Sequence, residues 1–242
     1  MYLKRKIDMF LSEWKSSKDK KPLIVKGCRQ VGKTASILKF ASENYASVVY
    51  INFALEPNYK AITIDGYSVD SIKKIITRIN PNFNFIDNGT IVIFDELQEF
   101  PEIATSLKSF AMDGRYDVIC SGSLLGINYK RIESNSVGYK TDYELMSMDF
   151  EEFLWAKGYK QDTIDDLLNH LLNLTPFNEL DMKLFSDLFL DFCILGGMPA
   201  VVEDYIESNS FTNSLYTQRQ LLQDYKEDIR KYAVGLYQTR VL

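Results

Sequence analysis

Apolar positions follow two spacings along this chain, and the change from one to the other divides it. Through about residue 155, short apolar runs alternate with stretches of helical spacing. The runs at 22–26, 47–53, 90–94 and 116–123 predict strands, and 143–148 predicts a fifth. The run at 90–94 is apolar without alternation, as a parallel strand covered on both faces requires. Helical spacing predicts helices over 3–16 (Ile7, Phe10, Leu11 and Trp14 on one face), from about Lys33 to Ala41, over 71–79 and over 102–112. Strands alternating with helices predict an α/β fold with a doubly wound parallel sheet. Beyond 155 the spacing is helical throughout: 164–174, 180–195 with Pro176 before it, a stretch with Val201, Val202 and Tyr205, and 211–233. The expected organisation is a core over 1–155, a helical lid over 156–210 and, over 211–242, the helical start of a truncated C-terminal region. The chain stops on apolar residues without a polar tail, which reads as a piece of a longer protein.

The first strand runs into Gly27-Cys28-Arg29-Gln30-Val31-Gly32-Lys33-Thr34, a full G-x-x-x-x-G-K-[ST] phosphate-binding loop between a strand and a helix. Gly27 and Gly32 let the backbone turn its N–H groups inward, and the following helix adds its dipole. Lys33 is expected on the β- and γ-phosphates and the Thr34 hydroxyl on Mg²⁺. The expected nucleotide contacts are Gly27, Gln30, Val31, Gly32, Lys33, Thr34 and Ala35. The strand at 90–94 ends in Asp95-Glu96, at the sheet edge where open α/β sheets bind ligands. Asp95 is expected to hold Mg²⁺ with Thr34, and Glu96 to polarise the attacking water. Cys120-Ser121-Gly122-Ser123 closes the next strand. Ser121 and Ser123 there can sense the γ-phosphate, although a plain strand-to-loop turn uses the same residue types.

Charge and composition narrow this further. Of 242 residues, 46% are hydrophobic and 25% charged, and the net charge is −5, so no broad basic field points to nucleic acid. No apolar run reaches bilayer-spanning length and no signal core follows the N-terminus, which predicts a cytoplasmic protein. Cys28, Cys120 and Cys193 lack metal spacing, and His170, the sole histidine, sits in a helical pattern. The chain has no Asn-Lys-x-Asp guanine-reading motif, so ATP is the expected nucleotide, with Mg²⁺ as cofactor.

GCRQVGKT at 27–34, IVIFDELQ at 91–98, CSGSLLG at 120–126, MSMDFEEFL at 146–154, LGGMPAVV at 195–202 and DYKEDIRKY at 224–232 resemble a family of prokaryotic AAA-type ATPases with an uncharacterised C-terminal domain. The resemblance implies a P-loop NTPase core, a helical lid, and a C-terminal portion with winged-helix-like and nuclease-like folds that is mostly missing here. That family often has Gly-Arg before its fifth strand where this chain has Gly138-Tyr139. Arg115 and Arg131 are the alternatives, and neither is assigned as an arginine finger. Gly196, Gly197 and Pro199 read as an inter-helix turn, and 228–231 as an exposed helix face. The functional expectation is an Mg-dependent ATPase coupling nucleotide state to its lid and a distal domain, as a homo-oligomer or with a protein partner. The alternative is a nucleotide-gated switch with negligible hydrolysis.

Overall fold

The apolar run ending at Asp95 forms a strand in which every residue is buried, β3 (Thr90–Asp95). Ile91 and Ile93 pack with Ile7, Leu11, Trp14 and Ile37, whereas Val92 and Phe94 pack with Ile72, Ile76, Leu107 and Phe110. Burial on both faces explains why the run is apolar without alternation. The computed structural model describes residues 1–123 and 138–232. Beside β3 it has β1 (Leu23–Gly27), β2 (Ser47–Asn52), β4 (Asp117–Ser123) and β5 (Thr141–Glu144), in the order β2-β3-β4-β1-β5. Every pairing is parallel. Helices α1 (Lys6–Ser16) and α2 (Lys33–Asn44) cover one face, and α3 (Val69–Ile79) and α4 (Leu107–Asp113) the other. This is an α/β P-loop NTPase core.

The strand order positions the site. The loop-bearing β1 and the acid-bearing β3 are not neighbours, because β4 lies between them. Gly27 pairs with Ser123 and Phe94 with Cys120, so the loop, Ser121 and Asp95 all reach the same sheet edge.

Three expectations need correcting. The fifth strand is Thr141–Glu144, not 143–148: Leu145 and Met148 are apolar and buried, but they belong to packed irregular chain beyond the last sheet pairing. The helix expected over 102–112 is a 3₁₀ segment, Pro101–Ser106, followed by α4. The N-terminal helix starts at Lys6 rather than residue 3. A 3₁₀ segment at Pro57–Thr63 had no counterpart in the spacing.

The chain divides into two compact units, Ile7–Met146 and a second formed by Met1–Lys6 with the chain from Ser147 onward. The second contains α5 (Phe150–Ala156), α6 (Gln161–Leu172), α7 (Glu179–Leu195), α8 (Pro199–Ser208) and α9 (Phe211–Tyr232). Phe153, Leu154, Leu188, Leu195, Val201 and Val202 are in its core. A capping box between Asp149 and Glu152 starts α5. Glu152 also accepts the Lys6 N–H at 2.6 Å and forms a buried ion pair with Arg5 at 3.1 Å. Gly197 lies so close to Met148 that a Cβ would stand 2.0 Å from the Met148 carbonyl oxygen. That contact gives the Gly196-Gly197 turn a structural role. Among the described residues no helix is long and apolar enough to cross a membrane.

Candidate nucleotide site

The phosphate loop is shaped at both ends by glycine. At Gly27 a Cβ would sit 2.3 Å from the Leu145 carbonyl oxygen, while Leu145 N–H donates to Lys26 O at 2.7 Å. The end of β1 is thus flush against the chain leaving β5. Gly32 (φ 96°) turns the loop into α2 in the left-handed region, and Gln30 (φ 61°) holds a similar conformation without being glycine. No side chain caps α2, so its first-turn N–H groups and dipole are suited to an anion. Val31 is wholly buried: its side chain serves the core, and only its backbone can line the loop. Gln30 and Ala35 are exposed.

Lys33 Nζ donates to the loop carbonyls of Gly27 at 3.0 Å and Cys28 at 2.7 Å. Burial lowers its pKa from the ordinary lysine value, opposed chiefly by the negative charge of Glu96, then by Cys28 and Asp95.

Asp95 is the hub of the site. It is 3% exposed and accepts hydrogen bonds through both carboxylate oxygens. Oδ2 takes Thr34 Oγ1 at 3.0 Å, the Tyr50 hydroxyl at 2.8 Å and Asn52 Nδ2 at 3.4 Å. Oδ1 takes the Glu96 N–H at 2.9 Å and the Ser121 hydroxyl. Burial, then the Asp95 carboxylate against the Asn52 bond, pushes the Tyr50 phenol up to about 12, so it stays a donor. The pairing of Thr34 with Asp95 spans the position of β4 and joins the loop to the acid strand. One carboxylate and one hydroxyl suit Mg²⁺, which uses few protein ligands beside phosphate oxygens. Among the described residues there is no cluster of three or more metal-ligating side chains of another kind.

Glu96 follows with φ 56° and ψ 49°, half-buried. Its carboxylate accepts from Gln98 Nε2. The other end of that amide, Gln98 Oε1, accepts the Ser123 N–H at 3.3 Å and lies where a Cβ on Gly122 would come within 2.8 Å. Ser123 therefore enters the site through its backbone, and Ser121 through its hydroxyl.

Sequence reasoning missed Tyr50, Asn52 and Gln98. A signal existed for the first two: polar groups at i and i+2 close a strand whose other face, Val49, Ile51 and Phe53, is core. Arg115 is away from this edge, just before β4 begins, and is held by Asp113 at 2.7 Å and Asp70 at 2.8 Å. Arg131 and the side chains at 228–231 lie outside the described residues. His170 lies in α6 beside Thr175, with Nδ1 3.0 Å from its hydroxyl.

The fold and loop define a P-loop nucleotide-binding domain of the AAA type. The chain belongs to the AAA_14 family of AAA domains, which matches residues 19–154, more than half its length. It is similar in fold to a Walker-type ATPase of Pyrococcus abyssi, with a TM-score of 0.55 at 16% identity over 95% of this chain and 76% of that one. A signal-transduction ATPase with a tetratricopeptide repeat sensor from Pyrococcus horikoshii aligns at TM-score 0.46 and 15% identity, over 95% of this chain and 34% of that one. The ORC1 protein of Aeropyrum pernix, solved in complex with DNA, aligns at 0.41 and 13%, over 96% and 67%. No curated protein matches the chain.

Proposed function

We propose that this AAA domain binds ATP with Mg²⁺, hydrolyses it, and couples the nucleotide state to rearrangement of the helical unit and a distal domain. The observation that carries the reading is the Thr34–Asp95 hydrogen bond, which brings the end of the phosphate loop onto the carboxylate of β3. Lys33 and the first-turn amides of α2 hold the β- and γ-phosphates. Thr34 and Asp95 would hold the metal, which when bound neutralises charge on the transferred group. Glu96 orients and deprotonates the attacking water, and Ser121 fixes the face of Asp95 that Thr34 does not use. A neighbouring subunit or protein partner contributes an arginine to the γ-phosphate. Three free cysteines suit the reducing cytoplasm.

The second reading, a nucleotide-gated switch with negligible hydrolysis, draws on the grip of Gln98 on Glu96, which ties down the water-activating group. Thermal unfolding with Mg-ATP, Mg-GTP and no nucleotide tests the shared part. At a hundred times Kd the gain is about 2.7 kcal/mol, or roughly 5–11 °C, selective for ATP and absent in Lys33→Ala. No shift with either nucleotide sinks both readings. Steady-state turnover in the presence of the full assembly then separates them: hydrolysis lost in Glu96→Gln supports the ATPase, and equal slow rates support the switch.

A further inference from the structure

The consecutive helices α6 and α7 are unlike the rest of the surface. Residues 161–195 hold ten of the 22 exposed large apolar side chains found among the described residues. The same 35 residues carry seven carboxylates against one lysine, a net charge of −6 in a chain whose total is −5. The other 207 residues are thus almost neutral. On α6 the acids are Asp162, Asp165 and Asp166; on α7 and its first turn they are Glu179, Asp181, Asp187 and Asp191. None of the seven is ion-paired with a described residue, and five are exposed. Their hydrogen bonds go to uncharged groups, Asp165 to Gln161, Asp181 to Asn178 and Asp191 to Tyr205.

On α7 and the turn before it lies a groove of about 450 Å³, lined by Phe177, Met182, Phe185, Phe189 and Leu190 together with Asp181. Along α7 the residues 182, 185 and 189 recur at helical spacing, so the groove runs along the helix and fits side chains presented at i, i+3 or i+4, and i+7. Exposed apolar area of this density marks an interaction site.

We propose that the groove along α7 docks a cationic amphipathic helix of a partner protein. Its leucine-like face enters the groove and its lysines or arginines are attracted by the carboxylates that α6 and α7 carry. Charge selects the occupant. Nucleic acid and anionic membranes are repelled by seven uncompensated carboxylates. A second copy docking by this same stretch would set one net charge of −6 against another, which costs affinity.

The test uses a fluorescent peptide of about 18 residues, five helical turns, with leucines on one face and lysines on the other. A matched peptide with glutamate in place of lysine and a sequence-scrambled leucine–lysine peptide are the controls. Anisotropy is read for the wild-type chain, for Met182→Ser with Leu190→Ser, and for Asp165→Asn with Asp166→Asn and Asp187→Asn. All of these side chains are exposed, and an unchanged Tm in each variant shows that the fold survives. The expected result is saturable micromolar binding of the helical lysine peptide alone, weakened about tenfold or more by the serine pair, as loss of two buried anchors implies. The asparagine set should weaken it too and flatten its salt dependence. Absence of saturation, equal binding of the glutamate or scrambled peptide, or indifference to the serine pair overturns the proposal. So does a wild-type dimer that the serine pair dissolves, since the face then serves self-association.

Discussion

Glu96 sits in a left-handed backbone conformation that costs a residue with a side chain of the order of 1–3 kcal/mol. Two contacts hold it there: its N–H on Asp95 and its carboxylate on Gln98. Gln98 is in turn fixed by the Ser123 N–H, so the placement of Glu96 depends on where β4 ends. Gln98→Ala should lower kcat for ATP hydrolysis about 10- to 100-fold, the cost of a catalytic group displaced by about an ångström. KM should change little, because Gln98 contacts neither the loop nor Thr34. A variant with faster turnover would mean that Gln98 restrains Glu96 instead. Lys33 gives a prediction in pH. Burial holds its pKa below 10.5, so its charge is lost at a lower pH than an ordinary lysine's. Phosphate binding needs that charge, so ATP affinity falls as pH rises through the lowered value. Lys33→Arg should move the fall to higher pH in calorimetric titrations. The folding term has the opposite sign: in that window the unfolded chain binds more protons, so rising pH favours the folded state. Lys33, Thr34 and Asp95 were legible because motif spacing encodes them. Alternation marked Tyr50 and Asn52 as the polar face of a strand end but not their contact with Asp95 across strands, and Gln98 acts across a turn that no local spacing records.

Among the elements, the sheet was largely readable because both of its faces are buried, and continuous apolar runs survive in the sequence as strands. The errors fall where burial and pairing part company. Leu145 and Met148 are buried without being in β5, and Pro101 opens a 3₁₀ segment where helical spacing alone suggested a regular helix. The start of α5 shows a different kind of element-level dependence. Asp149 and Glu152 cap it reciprocally, and the same Glu152 is shared with Arg5 and the Lys6 N–H. Both charged side chains are about 4% exposed, so removing one leaves the other buried. Arg5→Ala should destabilise the helical unit by about 3–5 kcal/mol, read as a lower urea midpoint. Pairing Arg5→Met with Glu152→Leu should recover much of that loss, less the capping bonds that Glu152 makes. A single variant as stable as the wild type would remove this ion pair from the account of the unit.

For the molecule as a whole, the two compact units each hold one of the two tryptophans, Trp14 in the unit Ile7–Met146 and Trp155 in the other. Trp155→Phe and Trp14→Phe therefore give separate fluorescence reports of unfolding. Added to either reporter, Arg5→Ala should lower the midpoint seen by Trp155 much more than that seen by Trp14. Mg-ATP should raise the Trp14 midpoint directly, because every residue assigned to the nucleotide belongs to its unit. Coincident curves under all conditions would show that the chain unfolds as one cooperative body. The sequence marked a change of character near residue 155 but gave no sign that the first six residues belong with the helices beyond that point. Leu3 and Arg5 look like any helix start, and their partners lie some 150 positions away.

That distance has a consequence for how the protein is made. Met1–Lys6 leaves the ribosome ahead of the sheet, yet its partner Glu152 is not synthesised until the whole sheet has passed. At about 5–20 residues per second, the wait is roughly 7–30 s. During that interval the sheet unit can form, while Leu3 and Arg5 remain without their final neighbours, open to chaperones and peptidases. Synthesis order thus makes the first six residues the part of the second unit that waits longest for a partner, and a slow stretch of codons after residue 155 would let them close before the remaining helices emerge.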